Sequence, residues 1–212
     1  MADNYLEKRY DEVFGSGKTR VKRVGNPLDT LLTKNRSCRG YKKSFVVTDE
    51  MLRRIVGVCT KVPSARNQQV LRFRLVTQGE QSAALLQQVK MGAALPELHL
   101  PTPGSEPEAF VVVCSTVEPN PMVYIDLGIA AQSMLLKAVE MGLNGLIIEA
   151  YNREAVKELL QLPYEPVMVI AIGKGGETFR LQPIAAAEPH NYYREAGVHV
   201  VPKVKLEDLI IQ

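Results

Sequence analysis

Tryptophan is absent from the 212-residue chain, and all aromatic residues together make up only 6% of it. That shortage argues against single-stranded nucleic-acid recognition, which relies on aromatic stacking platforms. Cysteine is scarce too. Cys38, Cys59 and Cys114 are odd in number and irregularly spaced, so they fit neither a disulfide framework nor a thiolate zinc site and read as free thiols. His99, His190 and His199 are scattered without ligand spacing, which leaves a metal centre unsupported. The sequence contains no uninterrupted apolar run of roughly 18 to 20 residues, so no membrane span is expected. The N-terminal MADNYLEKRYDEVF lacks the apolar segment of a secretory signal, which gives a cytoplasmic expectation. Neither a GxGxxG dinucleotide fingerprint nor a GxSxG nucleophile elbow occurs, so neither a Rossmann-type dinucleotide site nor a hydrolase is a leading reading.

What is present is lopsided charge. Residues 1–72 carry 16 Lys and Arg against 7 Asp and Glu, although the net charge of the whole chain is only +3. An excess of that kind suits an anionic partner. Lys18, Arg20, Lys22 and Arg23 cluster, but no helix-turn-helix, zinc or RNA-stacking signature accompanies them, so a phosphorylated cofactor explains the bias better than nucleic acid. Gly15-Ser16-Gly17-Lys18-Thr19 resembles the end of a phosphate loop, yet Glu12 stands where the motif requires glycine. No buried strand precedes it, and Gly25 and Pro27 interrupt the helix that the motif needs after it, so it reads as a flexible connection.

Hydrophobic periodicity then gives the organisation. Residues 1–27 form a basic N-terminal extension, with a short polar helix expected over Tyr5–Phe14, and residues 28–212 form one domain. Within that domain Pro27 opens a helical segment toward Lys34, and Thr48-Asp49-Glu50 caps a helix running toward Val62. Residues 70–77, 109–117, 143–151 and 165–173 are short, β-branched runs expected as strands, while 80–90 and 152–162 read as helices. Pro96, Pro101, Pro103 and Pro107 make the stretch between them a loop. Met122–Met141 is nearly all apolar, with Asp126, Ser133, Lys137 and Glu140 confined to one narrow stripe. Such a helix is expected to be buried nearly all round, in the core or against a second subunit. The segment from 176 to 212 shows little periodicity. Strands interleaved with helices give an α+β, layered fold.

Four segments carry the chemistry. Asn35-Arg36-Ser37-Cys38-Arg39-Gly40-Tyr41 concentrates guanidinium and hydroxyl groups suited to a phosphate. Cys38 between two arginines could be an activated thiol, but no base accompanies it, so it reads as a small residue in the turn. Pro63-Ser64-Ala65-Arg66-Asn67-Gln68-Gln69 is a polar turn, Asp126-Leu127-Gly128-Ile129-Ala130-Ala131-Gln132 lies in the apolar helix, and Ile147-Ile148-Glu149-Ala150-Tyr151 closes a strand. In order and type these segments, together with the basic stretch Val201-Pro202-Lys203-Val204-Lys205-Leu206-Glu207-Asp208-Leu209-Ile210, resemble the nitroreductase family, from about residue 30 to the C-terminus. Departures are Asn35 where the family often has Arg, Val70-Leu71 for Pro-Trp, and Ala150 for Gly.

The resemblance implies a central mixed or antiparallel sheet flanked by helices in an intertwined homodimer, with FMN as cofactor and NADH or NADPH as reductant. It implies that Arg36, Ser37 and Arg39 hold the phosphate and ribityl chain. Pro63, Ser64, Ala65, Asn67 and Gln69 would reach the flavin from the partner subunit, and Ile148, Glu149 and Ala150 would meet the ring edge. Lys203 or Lys205, with Arg180 and Arg194 as alternatives, would complete the phosphate site. The flavin would carry the chemistry, so no catalytic side chain is assigned, and the acceptor would be a small electrophile such as a nitroaromatic or quinone. The three departures keep open a flavin-binding protein without efficient reductase activity, a reservoir or regulator.

Overall fold

The computed structural model describes residues 28–92 and 98–211. The helix expected over Tyr5–Phe14 lies outside them. Four strands, β1 (Leu71–Val76), β2 (Ala109–Ser115), β3 (Asn144–Ile148) and β4 (Glu165–Gly173), form an antiparallel sheet in the order β1-β2-β4-β3. Every residue of β2 is buried, which is what a continuous β-branched run with no polar alternation requires. Alternate side chains face two cores. Val111 and Val113 pack with Leu52 and Met134 on one side; Phe110 and Val112 pack with Leu85 and Val156 on the other. Each such buried side chain contributes about 1.5–3 kcal/mol against exposure.

The flanking helices follow their caps. In α1 (Leu28–Lys34) Asp29 and Lys34 sit at the ends that suit their charges. The N-cap of α2 (Asp49–Val56) is Thr48, whose hydroxyl accepts a hydrogen bond from the Met51 amide. This helix stops at Val56, earlier than the periodicity implies. Gly57 begins a single tighter turn, and the Thr60 hydroxyl donates back to the Gly57 carbonyl at 2.8 Å. The third helix, α3 (Glu80–Leu86), also falls short of Lys90, because residues 88–90 leave it to pair with residues 150–152: Lys90 N donates to Ala150 O at 2.7 Å. In α5 (Arg153–Leu159) the Asn152 side chain accepts from the Ala155 amide, as an N-cap should.

The long helix α4 (Pro121–Glu140) begins at Asn120, whose side-chain oxygen accepts from the Met122 and Val123 amides. It lies across the sheet over Gly145, where a Cβ would collide with Leu135. It is not buried nearly all round as the sequence implied, and the polar stripe does not make up its uncovered face, since Asp126 is buried at 5% exposure and only Glu140 of the stripe is exposed. The uncovered face is apolar instead: Met122 and Ile125 are 50% and 54% exposed, Gly128 and Gln132 are exposed, and Ile129 and Leu136 are half-buried. These six recur at three- and four-residue spacing along one side of the helix. By length and composition α4 could cross a membrane, but half of it is buried inside the fold, as befits a core helix with one face left over.

The C-terminal segment is more regular than its sequence suggests. Strands β5 (Thr178–Ile184), β6 (Tyr193–Glu195) and β7 (Val198–Val204) form a second sheet in the order β5-β7-β6, with β5 and β7 parallel. Ala196 and Gly197, at φ 48° and 79°, make the left-handed two-residue turn that joins β6 to β7. A short helix, α6 (Leu206–Leu209), follows. This unit is tied to the first sheet through Lys42, whose amide donates to Lys174 O at 2.8 Å, and Gly176, whose amide donates to Gly40 O at 2.9 Å. The described part of the proline-rich loop is pinned nearby. Tyr41 N donates to Ser105 O at 2.9 Å, and Lys43 pairs with Glu106 and Glu108 at 3.1 and 2.9 Å.

Candidate functional site

Three of the four chemical segments assemble around α4, but at opposite edges of the four-stranded sheet. Residues 35–41 run beside β3, one edge of the sheet: Ser37 pairs in parallel with Gly145, and Cys38 N donates to Gly145 O at 3.1 Å. Ile148, Glu149 and Ala150 close the same strand, so Arg36, Ser37 and Glu149 share one edge over roughly 13 Å of β-strand. Burial pushes the Glu149 carboxyl above its ordinary value, with Arg153 pulling the other way. Pro63, Ser64, Ala65, Asn67 and Gln69 form the turn into β1, the opposite edge. Three inter-strand spacings, roughly 14 Å, separate the two edges.

At the β3 edge Arg36 donates from Nη2 to Leu32 O at 2.5 Å, and burial holds its guanidinium below the usual range. The Nε atoms of Arg36 and Arg39 are buried with no hydrogen-bond partner among the described residues. Each is a cationic donor left without an acceptor among the described residues. Arg39 is partly engaged by its own chain: Nη1 donates to Ser37 O at 3.2 Å, and the guanidinium lies over the Tyr192 ring at 5.4 Å. Cys38 is fully buried, and burial next to Glu177 pushes its thiol up to about 12, so it is a packed thiol rather than a nucleophile.

The turn at the β1 edge holds three non-glycine residues in the left-handed region, Arg66, Asn67 and Gln69 at φ 52°, 54° and 50°. Each costs on the order of 1 kcal/mol or more and concentrates at functional turns. Local bonds hold them there. Gln69 N donates to Ser64 Oγ at 3.2 Å, Gln69 Nε2 donates to Asn67 Oδ1 at 3.1 Å, and Ala65 N donates to Asp126 Oδ1 at 2.8 Å. Pro63, Ser64 and Gln69 line a groove of about 720 Å³ whose floor is made by Val56, Leu71 and Phe73. The groove is mixed in character: Arg53, Arg72, Arg74, Asp49 and Asp126 line it beside the apolar residues.

Lys203 and Lys205 are not brought to Arg36. They lie at the far end of β7, and no hydrogen bond or ion pair among the described residues joins either to residues 35–41. Arg180 pairs with Glu195 at 2.5 Å and Arg194 pairs with Glu177. Sequence reasoning missed Glu177. Its carboxylate accepts from the amides of Arg39, at 2.5 Å, and Gly40, at 3.2 Å, clamping the phosphate-type segment to the C-terminal sheet. His199 is buried between Phe179 and Tyr192, and burial lowers its pKa. The paired glycines before Glu177 were the one available signal of a close approach there.

The sheet order, the layered helices and the placement of these segments define an α+β fold of the nitroreductase type. The nitroreductase family model matches residues 32–174, and the chain belongs to the nitroreductase family. Among solved structures, the FMN-dependent nitroreductase of Clostridium difficile R20291 is 25% identical, with 69% of this chain and 87% of that one covered and a TM-score of 0.57. A nitroreductase family protein of Streptococcus pneumoniae TIGR4 is 16% identical over 76% of this chain and 96% of that one, TM-score 0.59. A candidate nitroreductase of Exiguobacterium sibiricum 255-15, solved in complex with FMN, is 18% identical over 73% and 91%, TM-score 0.59. The last two likenesses speak to the fold. No curated protein sequence matches the chain. The C-terminal sheet lies beyond the family match.

Proposed function

We propose that the protein is an FMN-dependent NAD(P)H oxidoreductase that acts as a homodimer on a small electrophilic acceptor. Residues 28–212 would be its single domain, residues 1–27 a basic arm, and the cytoplasm its location. The observation that carries this reading is the separation of the two half-sites. The arginine segment and the strained polar turn sit at opposite sheet edges with the buried strands β2 and β4 between them, so within one chain the two do not face a common cleft. Both rest on α4: Asn35 donates to Gln132 at 3.3 Å, and Ala65 donates to Asp126. The uncovered apolar face of α4 lies between them. A two-fold contact along that face would bring the turn of one copy to the arginine segment of the other. Gly128 supports this, because no described residue outside its own helix backbone lies within 4 Å of a Cβ there, while a glycine inside a helix costs about 1 kcal/mol. It leaves room for close approach of a second helix.

The residues present fit the cofactor. Arg36 and Arg39 offer unanswered donors to a phosphate, Ser37 an exposed hydroxyl to the ribityl chain, and Ser64, Asn67 and Gln69 amide and hydroxyl groups to the ring from the partner copy. Bound there, FMN would take a hydride from NADH or NADPH and, after the nicotinamide leaves, reduce a quinone or nitroaromatic in the same pocket. The chain's own task would be to hold and orient the ring, with Ser64 and Gln69 of one copy and Glu149 of the other as the groups that would meet it. Lys203 and Lys205 reach the phosphate only if the partner supplies them.

Purified protein should be yellow, release FMN in acid, bleach anaerobically with NADH or NADPH, and regain colour when a quinone is added. Failure to take up FMN would overturn the reading. Tight FMN that neither nicotinamide reduces would favour the flavin reservoir or regulator instead.

A further inference from the structure

We infer that Asp126 is a positioning residue: its buried carboxylate locks the Ser64–Gln69 turn to α4, so that the flavin-facing turn is set by the same helix that forms the subunit contact. This rests on the flavin reading above. Asp126 is 5% exposed in the middle of a helix face otherwise made of Val123, Leu127, Ala130 and Met134. Its one hydrogen bond among the described residues is the one accepted from Ala65 N at 2.8 Å. A carboxylate this little exposed, with a single backbone donor among the described residues, returns little stability, because desolvation offsets what one donor gives. A group that breaks the packing rule without a stability gain points to a geometric role.

The turn needs such a hold. Arg66, Asn67 and Gln69 are all left-handed, and the bonds within the turn, from Asn67 N to Ser64 O and from Gln69 N to Ser64 Oγ, fix its shape without fixing its place. The bond to Asp126 joins the turn to a rigid element at Ala65, next to Ser64. Asp126 and Ser64 also line the same groove. Ile125, the residue before Asp126, and Met122, one helix turn earlier, are on the uncovered face. A shift of α4 at the subunit contact is thereby passed to the groove through one hydrogen bond.

The test compares Asp126→Ala and Asp126→Asn in the full-length protein, reading FMN affinity by fluorescence quenching and amide hydrogen exchange without added FMN. Asp126→Ala should weaken FMN about tenfold or more, the loss of one charge-assisted bond, and speed exchange at residues 65–69 while β2 and β4 stay protected. Asp126→Asn keeps an acceptor oxygen and should recover most of the affinity. The inference is overturned if Asp126→Ala binds FMN as the parent does, or if exchange rises across β2 and β4 as much as in the turn, which would make Asp126 a general core residue. Parent protein that binds no FMN would sink the flavin reading itself, while the exchange at 65–69 would still report on the lock.

Discussion

Replacing Ile125 with glutamate should convert the protein to monomers and abolish tight FMN binding in one step. Ile125 is 54% exposed at the centre of the apolar stripe on α4, outside both half-sites, so the substitution touches no group assigned to the cofactor. In a monomer the charge simply meets water; between two copies it would be buried opposite its own symmetry mate, an unpaired like-charge contact. The chain itself should stay folded, because the buried face of α4 keeps Leu127, Ala131 and Met134 in the core. FMN affinity should then fall on the order of a hundredfold, the worth of about two lost polar contacts. Light scattering against an FMN titration checks both readouts on one sample. Monomers that keep the parent affinity would mean that the site is complete within one chain.

Replacing Arg36 with alanine should weaken FMN by roughly 10- to 100-fold while leaving riboflavin within about threefold, because a charge-assisted bond to phosphate is worth about 1.5–3 kcal/mol and riboflavin has no phosphate. Arg36 is the better probe of the two arginines. Its Nε has no partner among the described residues, whereas the guanidinium of Arg39 also packs on Tyr192 and its backbone amide is held by Glu177. Arg36→Lys should recover part of the loss, since a point charge replaces a fork. Calorimetry with the two ligands separates the cases: equal losses for FMN and riboflavin would mean that Arg36 shapes the segment rather than meeting the phosphate.

Much of this arrangement was legible in the sequence where local chemistry and burial agree. The β-branched runs at 109–115 and 165–173, the Thr48 and Asn152 caps and the extent of α4 all follow from residue type alone. The direction in which α4 faces did not. Periodicity finds an apolar surface but cannot tell one's own core from a second copy's surface, and it carries no signal that Asp126 meets the Ala65 amide. The C-terminal sheet escaped notice for another reason. Its strands are mostly half-exposed, so they lack the hydrophobic signal of a buried strand, and β5 pairs in parallel with a strand 20 residues away in sequence. Glu177 could be recognised only once its carboxylate was seen on two consecutive amides. The polar residue types of the site were readable in advance, but their division between two sheet edges was not, because it depends on strand order.

That division is tested most directly by co-expressing two defective chains, one with Arg36→Ala and one with Asn67→Ala and Gln69→Ala, and measuring FMN bound by the mixed dimers. If each flavin is held by the arginine segment of one copy and the turn of the other, random pairing gives one intact site in half of the dimers, so FMN content should return to about a quarter of the parent value. No recovery above the two separate variants would contradict a site shared between copies.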